Sequence, residues 1–247
     1  MKKLFAILMI LCACQLAQAQ VAFPRQDVHY NVLYHWGFVN VDIARGVVSV
    51  QSDGKQFSAT LDGTSIPWEG KIICVSDTLK ANVGANNGTP VENVTYQSGW
   101  YRHVPVSQFR SATYNPDDPA YYKNIHGGGT LDASNSSMEA ITITSDMLGI
   151  YYMAHVINFD SMSAGATYRY NISGPFANEV AITYEGAGTY TVNGDTYPTY
   201  NISFEYSYGS SLSKFPVECK ISKTTLTPLY FGADLPVGKV EMNYAPD

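Results

Sequence analysis

The residues able to do chemistry are few and scattered. Ser211-Leu212-Ser213-Lys214 fits S-x-x-K, in which a lysine helps activate a serine for acyl transfer. Ser145-Asp146-Met147 and Lys223-Thr224-Thr225 approximate its S-D-N and K-T-G companions. That serine must open a helix, whereas Ser211 stands beside Gly209 in a turn between strand-like segments. The motif order is also wrong, and the last glycine is missing. There is no G-x-S-x-G elbow, Walker loop or G-x-G-x-x-G. Gly127-Gly128-Gly129 lacks a following lysine and helix, so it reads as a loop. The five histidines (His29, His35, His103, His126, His155) never pair at i, i+2 or i+4, so no metal set emerges. Asp117-Asp118, between prolines, lacks the further oxygens that calcium needs and reads as a solvated turn. An enzyme would need a convergent cluster such as His155 with Asp146 or Asp160. The sequence is read as a non-enzyme with no cofactor and no metal.

What remains is aromatic. Tyrosine supplies 19 of the aromatic side chains, beside 10 Phe and 3 Trp. A tyrosine offers an apolar body and a polar tip, which suits stacking on a sugar or lining an amphipathic pocket. It equally suits a strand packed into a core. Tyr34, Trp36, Trp68, Trp100, Tyr151 and His155 are the candidate ligand-binding residues, with a lipid or glycan fragment as the ligand class.

The chain that must position them has 247 residues, 45% hydrophobic and only 15% charged, against a usual charged share of about 25%. It can bury a core, which excludes a wholly disordered protein. Its net charge of −6 argues against nucleic acid, because phosphate binding needs a basic surface. Residues 1–19 read as a signal peptide: Lys2-Lys3, an apolar run from Leu4 to Leu11, and the cleavage signature Ala17-Gln18-Ala19. The apolar run is too short to span a bilayer, and no later segment is long enough. A periplasmic or secreted protein is expected. Leu11-Cys12-Ala13-Cys14 loosely matches a lipoprotein box with Cys14 as the lipidated residue, and an outer-membrane lipoprotein is the lesser alternative. After cleavage Cys74 and Cys219 remain. They could pair, but two buried thiols are the favoured reading.

Period-two alternation dominates residues 20–247, which are read as one β-rich domain. Val180, Ile182 and Tyr184 alternate with polar neighbours, as do Ile202, Phe204, Tyr206 and Tyr208; Cys219 points inward by the same rule. Asn193-Gly194 and Asp53-Gly54 are hairpin signals, so the sheet is antiparallel. Apolar parity flips near Gly37, from Tyr34 and Trp36 to Val39 and Val41, which predicts a bulge or bend in one long strand. Residues 82–90 and 115–137 are predicted as loops. Residues 145–157 are predicted as a buried helix, with Ser145 as N-cap and apolar residues nearly all round. The expected fold is all-β, a curved antiparallel sheet or barrel-like fold with one buried helix.

Three segments carry a resemblance. Tyr30-Asn31-Val32-Leu33-Tyr34-His35-Trp36-Gly37-Phe38-Val39 resembles the opening strand pair of an exported bacterial family known as domain of unknown function 3108. Asp146 to His155 is similar to its central helical segment. Thr227-Pro228-Leu229-Tyr230-Phe231 with Leu235 to Val240 is similar to its closing strands. The resemblance implies a curved antiparallel fold, an envelope location and a Bacteroides-like source. It implies no activity and no site residues. The expected function is therefore that of an exported envelope protein binding an amphipathic lipid or glycan. The alternative is a structural or protein-interaction component without a small ligand. The helix decides between them: beside the concave face it leaves a pocket, and within that face it leaves none.

Overall fold

A computed structural model of the protein describes residues 22–66, 73–84, 90–101, 104–115, 118–127, 131–137, 148–171, 179–208, 211–212 and 216–246. Where the sequence alternates, the chain pairs. Eight strands run in order: β1 (Ala22–Trp36), β2 (Val39–Asp53), β3 (Gln56–Ser65), β4 (Ile73–Gly84), β5 (Pro90–Tyr101), β6 (Val104–Asn115), β7 (Asp118–Gly127) and β8 (Leu131–Ser137). Helix α1 (Gly149–Val156) and a 3-10 turn (Phe159–Ser161) follow. Then come β9 (Thr167–Asn171), β10 (Glu179–Val192), β11 (Asp195–Tyr208), β12 (Ser211–Leu212), β13 (Val217–Ser222), β14 (Pro228–Asp234) and β15 (Lys239–Tyr244).

All belong to one antiparallel sheet, ordered β8-β7-β6-β5-β4-β3-β2-β1-β15-β14-β13-β11-β10-β9, with β12 beside β11. Neighbours in sequence are mostly neighbours in the sheet, as short hairpins dictate. The long-range exception is β1 with β15, which joins the two halves from Tyr30 opposite Tyr244 to His35 opposite Lys239.

Alternation becomes burial. Val28 and Tyr30 on β1, Val48 and Val50 on β2, Val180, Ile182 and Tyr184 on β10, Ile202 and Phe204 on β11, and Cys219 on β13 are buried in one cluster. Inside it lies α1. Leu148, Tyr151, Tyr152, Met153 and Ala154 are each at most 4% exposed, so four successive helical residues, 151–154, are buried, as the apolar sequence of the segment predicts. Its N-terminal boundary residue is Leu148, with no side-chain cap; Ser145 lies outside the described residues.

The helix also shows that the sheet is curved. Tyr152 packs edge-on against Phe57 of β3 at 5.6 Å, while Phe159, just beyond the helix, meets Tyr184 of β10 at 5.9 Å and Tyr200 of β11 at 5.0 Å. Strands β3 and β10 are seven spacings apart in the sheet, about 34 Å if it were flat. An eight-residue helix is only about 12 Å long. The sheet must curl to bring both strands to it.

Two local expectations are corrected. Gly37 does not bend one long strand. With Phe38 it forms a two-residue turn between β1 and β2, Trp36 opposite Val39, and takes the left-handed φ of +58°. A two-residue turn sets even-numbered residues opposite odd-numbered ones, which is the parity flip seen in the sequence. The bulge sits further along, where Val32 pairs with Ala44 but Leu33 with Asp42, leaving Ile43 extra. Residues 115–137 are not a long loop either: 118–127 and 131–137 are β7 and β8, and β4 runs on to Gly84. Their Asn, Asp, Ser and Gly content mimics a loop, but ladder hydrogen bonds come from the backbone and do not require apolar side chains. Residues 85–89 lie outside the described residues.

The hairpin signals hold. Asn193 (φ +52°) and Gly194 (φ +90°) turn β10 into β11 with Val192 opposite Asp195. At the β2–β3 turn the Asp53 carboxylate accepts the Lys55 and Gln56 N–H groups, both at 2.7 Å.

Candidate functional site

The sequence-derived set divides in space. Tyr151 and His155 lie one helical turn apart on α1. The Tyr151 hydroxyl donates to the Tyr30 hydroxyl at 2.8 Å, and Tyr30 donates to the Pro228 carbonyl at 2.5 Å. Burial pushes both phenols above their usual range, so each is a neutral link in a buried relay. His155 donates Nδ1–H to the Tyr151 carbonyl at 2.7 Å and stacks on Phe23, ring centroids 4.4 Å apart. Burial lowers its pKa, which favours the neutral ring. Asp160, its suggested acidic partner, instead stands 3.9 Å from Lys223; Asp146 lies outside the described residues. His155 is a packing residue.

Tyr34 and Trp36 lie at the far end of β1. Tyr34 donates to the Val237 carbonyl at 2.8 Å, and Trp36 ends the strand in solvent. They form no pocket with Tyr151 and His155. Trp68 lies outside the described residues, and Trp100 is placed by its backbone alone, opposite Cys74 on β4 and Pro105 on β6. Cys219 is a buried free thiol, so the pairing with Cys74 is not made; burial raises its pKa, keeping it protonated and inert. Ser211 lies in β12 rather than at a helix start, so the S-x-x-K resemblance has no catalytic geometry.

Sequence reasoning missed a charged cluster on the outer face. Glu241 of β15 accepts from the Tyr230 hydroxyl at 2.8 Å, lies 3.0 Å from His35 Nε2, and pairs with Lys239 at 3.1 Å. Lys220 Nζ stands 5.4 Å from the ring centres of both Tyr230 and Tyr190, and Tyr190 donates to Asn243 at 2.7 Å. The available signal was Lys239, Glu241 and Asn243 at alternate positions of one strand. Partial burial pushes the Glu241 carboxyl up, but hydrogen bonds from Tyr230 and Lys239 outweigh it, and the net pKa is lowered. Burial pushes Tyr230 up to about 12. At neutral pH the cluster therefore holds a carboxylate, an ammonium and a phenol, each in its ordinary charge state. It fastens β1, β14 and β15 together and poises no nucleophile.

A pH dependence follows. A carboxyl with a lowered folded pKa stabilises above its unfolded value, near 4.5, and that contribution fades as pH falls through the folded value. Glu241→Gln is expected to cost about 1 kcal/mol at pH 7. In urea melts that difference should shrink as pH falls below 4.5 and through the lowered folded value; a gap independent of pH would contradict the assignment.

Two open clefts are defined. One of about 250 Å³ lies by the β2–β3 turn, bordered by Arg25, Gln51, Asp53 and Gln56. Another of about 390 Å³ lies outside β1–β3 among His29, Asn31, Arg45, Asp62 and Thr64. Both are open to solvent and no residue of α1 lines either; the first is mostly polar, while the second also takes apolar surface from Tyr30, Val47, Ala245 and Pro246. Among the described residues no group of three His, Cys, Asp or Glu could hold a metal ion, and no helix is long and apolar enough to cross a membrane.

No family model matches the chain, and no curated protein matches it. The resemblance to domain of unknown function 3108 thus rests on the quoted residues alone. Among solved structures, the chain is similar to a β-barrel-like protein of domain of unknown function 1849 from Brucella abortus. The TM-score is 0.55 at 5% identity, covering 91% of this chain and 96% of that one. At that identity the likeness concerns the fold: a curved, barrel-like antiparallel sheet.

Proposed function

We propose that the protein is an exported, periplasmic or secreted component of the cell envelope that works through its outer surface, as a structural or interaction part and not as an enzyme or a carrier of an enclosed lipid or glycan. The supporting observation is α1. Five side chains from Leu148 to Ala154 occupy the concave face where a ligand would lie, and Tyr151 ties the helix to β1 through Tyr30. A carrier of this size would keep an apolar cavity of several hundred cubic ångströms lined by a few aimed polar groups. The two defined clefts are open to solvent rather than enclosed, and α1 lines neither.

The test is a titration of the leader-free protein with a fluorescent fatty acid kept below its micelle concentration. The expected result is no saturable binding. Uptake of one equivalent with micromolar affinity would overturn the proposal and return the carrier reading.

A further inference from the structure

Six large apolar side chains are exposed among the described residues, and five stand together at one end of the sheet: Trp36 (57%), Phe38 (106%), Val39 (40%), Leu235 (42%) and Val237 (55%). They come from two turns, Gly37–Phe38 between β1 and β2, and 235–238 between β14 and β15. The β1–β15 ladder sets these turns side by side, His35 opposite Lys239, and the Tyr34 hydroxyl pins the second to the first through the Val237 carbonyl. Turns of this kind are ordinarily Asn, Asp, Ser and Gly; here their tips are aromatic and aliphatic.

We propose that these paired turns are a docking tip that inserts into a lipid bilayer. The inference deepens the outer-surface reading and rests on it. The tip protrudes: Phe38 is fully solvated, and nothing lies within 4 Å of where a Gly37 side chain would point. A protrusion enters a fluid apolar phase without needing a matching hollow. No residue from Trp36 to Val39 or from Leu235 to Gly238 is charged, and Asp234 and Lys239 bound the second turn with opposite signs. Behind the tip Lys239 pairs with Glu241 at 3.1 Å, and His35 Nε2 lies 3.0 Å from the same carboxylate. The eight residues of the two turns therefore bring no charged side chain of their own into the headgroups. Trp36, two residues before Phe38, has the amphipathic ring that favours the membrane–water boundary.

A second copy of the chain fits this tip poorly. Five side chains of these types expose on the order of 500 Å², below the roughly 800 Å² per partner of a stable protein interface. Two protrusions facing each other would also bury only part of it.

The experiment is co-sedimentation of the leader-free protein with vesicles of phosphatidylethanolamine and phosphatidylglycerol at physiological salt. The wild type should pellet with the vesicles. Phe38→Ser and Val237→Ser, uncharged changes at exposed positions, should each lower partitioning about tenfold, with melting temperature unchanged. Tyr168→Ser, on edge strand β9, should leave it unaltered. A wild type that stays in the supernatant, serine variants that bind as well as it does, or a tip found occupied by an envelope protein in the absence of lipid would each overturn the proposal. The fatty-acid titration separates the two failures. Absent vesicle binding with an empty interior removes the docking tip alone, and saturable monomer uptake removes the outer-surface reading.

Discussion

Tyr151→Ala is expected to cost about 3–5 kcal/mol of folding stability, the range for truncating a large buried ring. Tyr151 is 2% exposed, touches Phe231 with ring centres 6.4 Å apart, and donates to Tyr30. Alanine there removes the ring from a site walled by the sheet, and the sheet's hydrogen-bonded frame cannot collapse into the space. Tyr151→Phe separates the two contributions. It keeps the ring, loses one hydrogen bond, and should cost about 1 kcal/mol, because Tyr30 still donates to Pro228. Urea denaturation with an unchanged m-value reads both. A Tyr151→Ala variant as stable as the phenylalanine one would mean that the ring does not hold the interior together.

Gly238→Val should be the next most damaging change, on the order of 3 kcal/mol. Gly238 has a φ of +81°, a region that a β-branched residue enters only with strain. A Cβ there would press into the His35 backbone carbonyl and against the Tyr34 ring, so the obstacle includes main chain that belongs to the β1–β15 ladder. Gly37→Ala is the control. Gly37 also has positive φ, but its Cβ would meet nothing within 4 Å, so only the backbone preference of about 1–2 kcal/mol is lost. Equal losses for the two variants would contradict the close approach of the second turn to β1. Amide exchange at Leu235, whose N–H donates to the Gly238 carbonyl at 2.9 Å, should quicken in Gly238→Val.

The strands of the core were legible because burial on one face writes itself into every second residue. Val180, Ile182 and Tyr184, then Ile202 and Phe204, needed no other information, and Cys219 followed by parity. The helix was legible for the opposite reason: its lack of a polar face meant that something would surround it. Gly37 was misread because a parity flip has two causes, a bulge and a two-residue turn, and local sequence does not separate them. Strands β7 and β8 were hidden because a ladder is held by backbone hydrogen bonds to the neighbouring strand, whatever the side chains.

The candidate sites were less legible, since both depend on one long-range pairing. Tyr34 and Val237 lie 203 positions apart, and only the β1–β15 ladder makes Trp36 and Phe38 neighbours of Leu235 and Val237. The same ladder assembles His35 with Glu241. Trp36 stood out as an aromatic, but aliphatic side chains in turns drew no attention singly. Tyr151 and His155 stood out as candidate ligand-binding residues; hydrogen bonds and ring packing inside the barrel-like core account for them.

The protein's own helix occupies the place where a barrel-like sheet would hold a ligand. Native mass spectrometry of the protein recovered from its own cells tests this most directly. One species at the mass of the polypeptide alone is expected. A stoichiometric lipid or glycan adduct that persists in Phe38→Ser, where the tip is disabled, would place a ligand in the interior and contradict it.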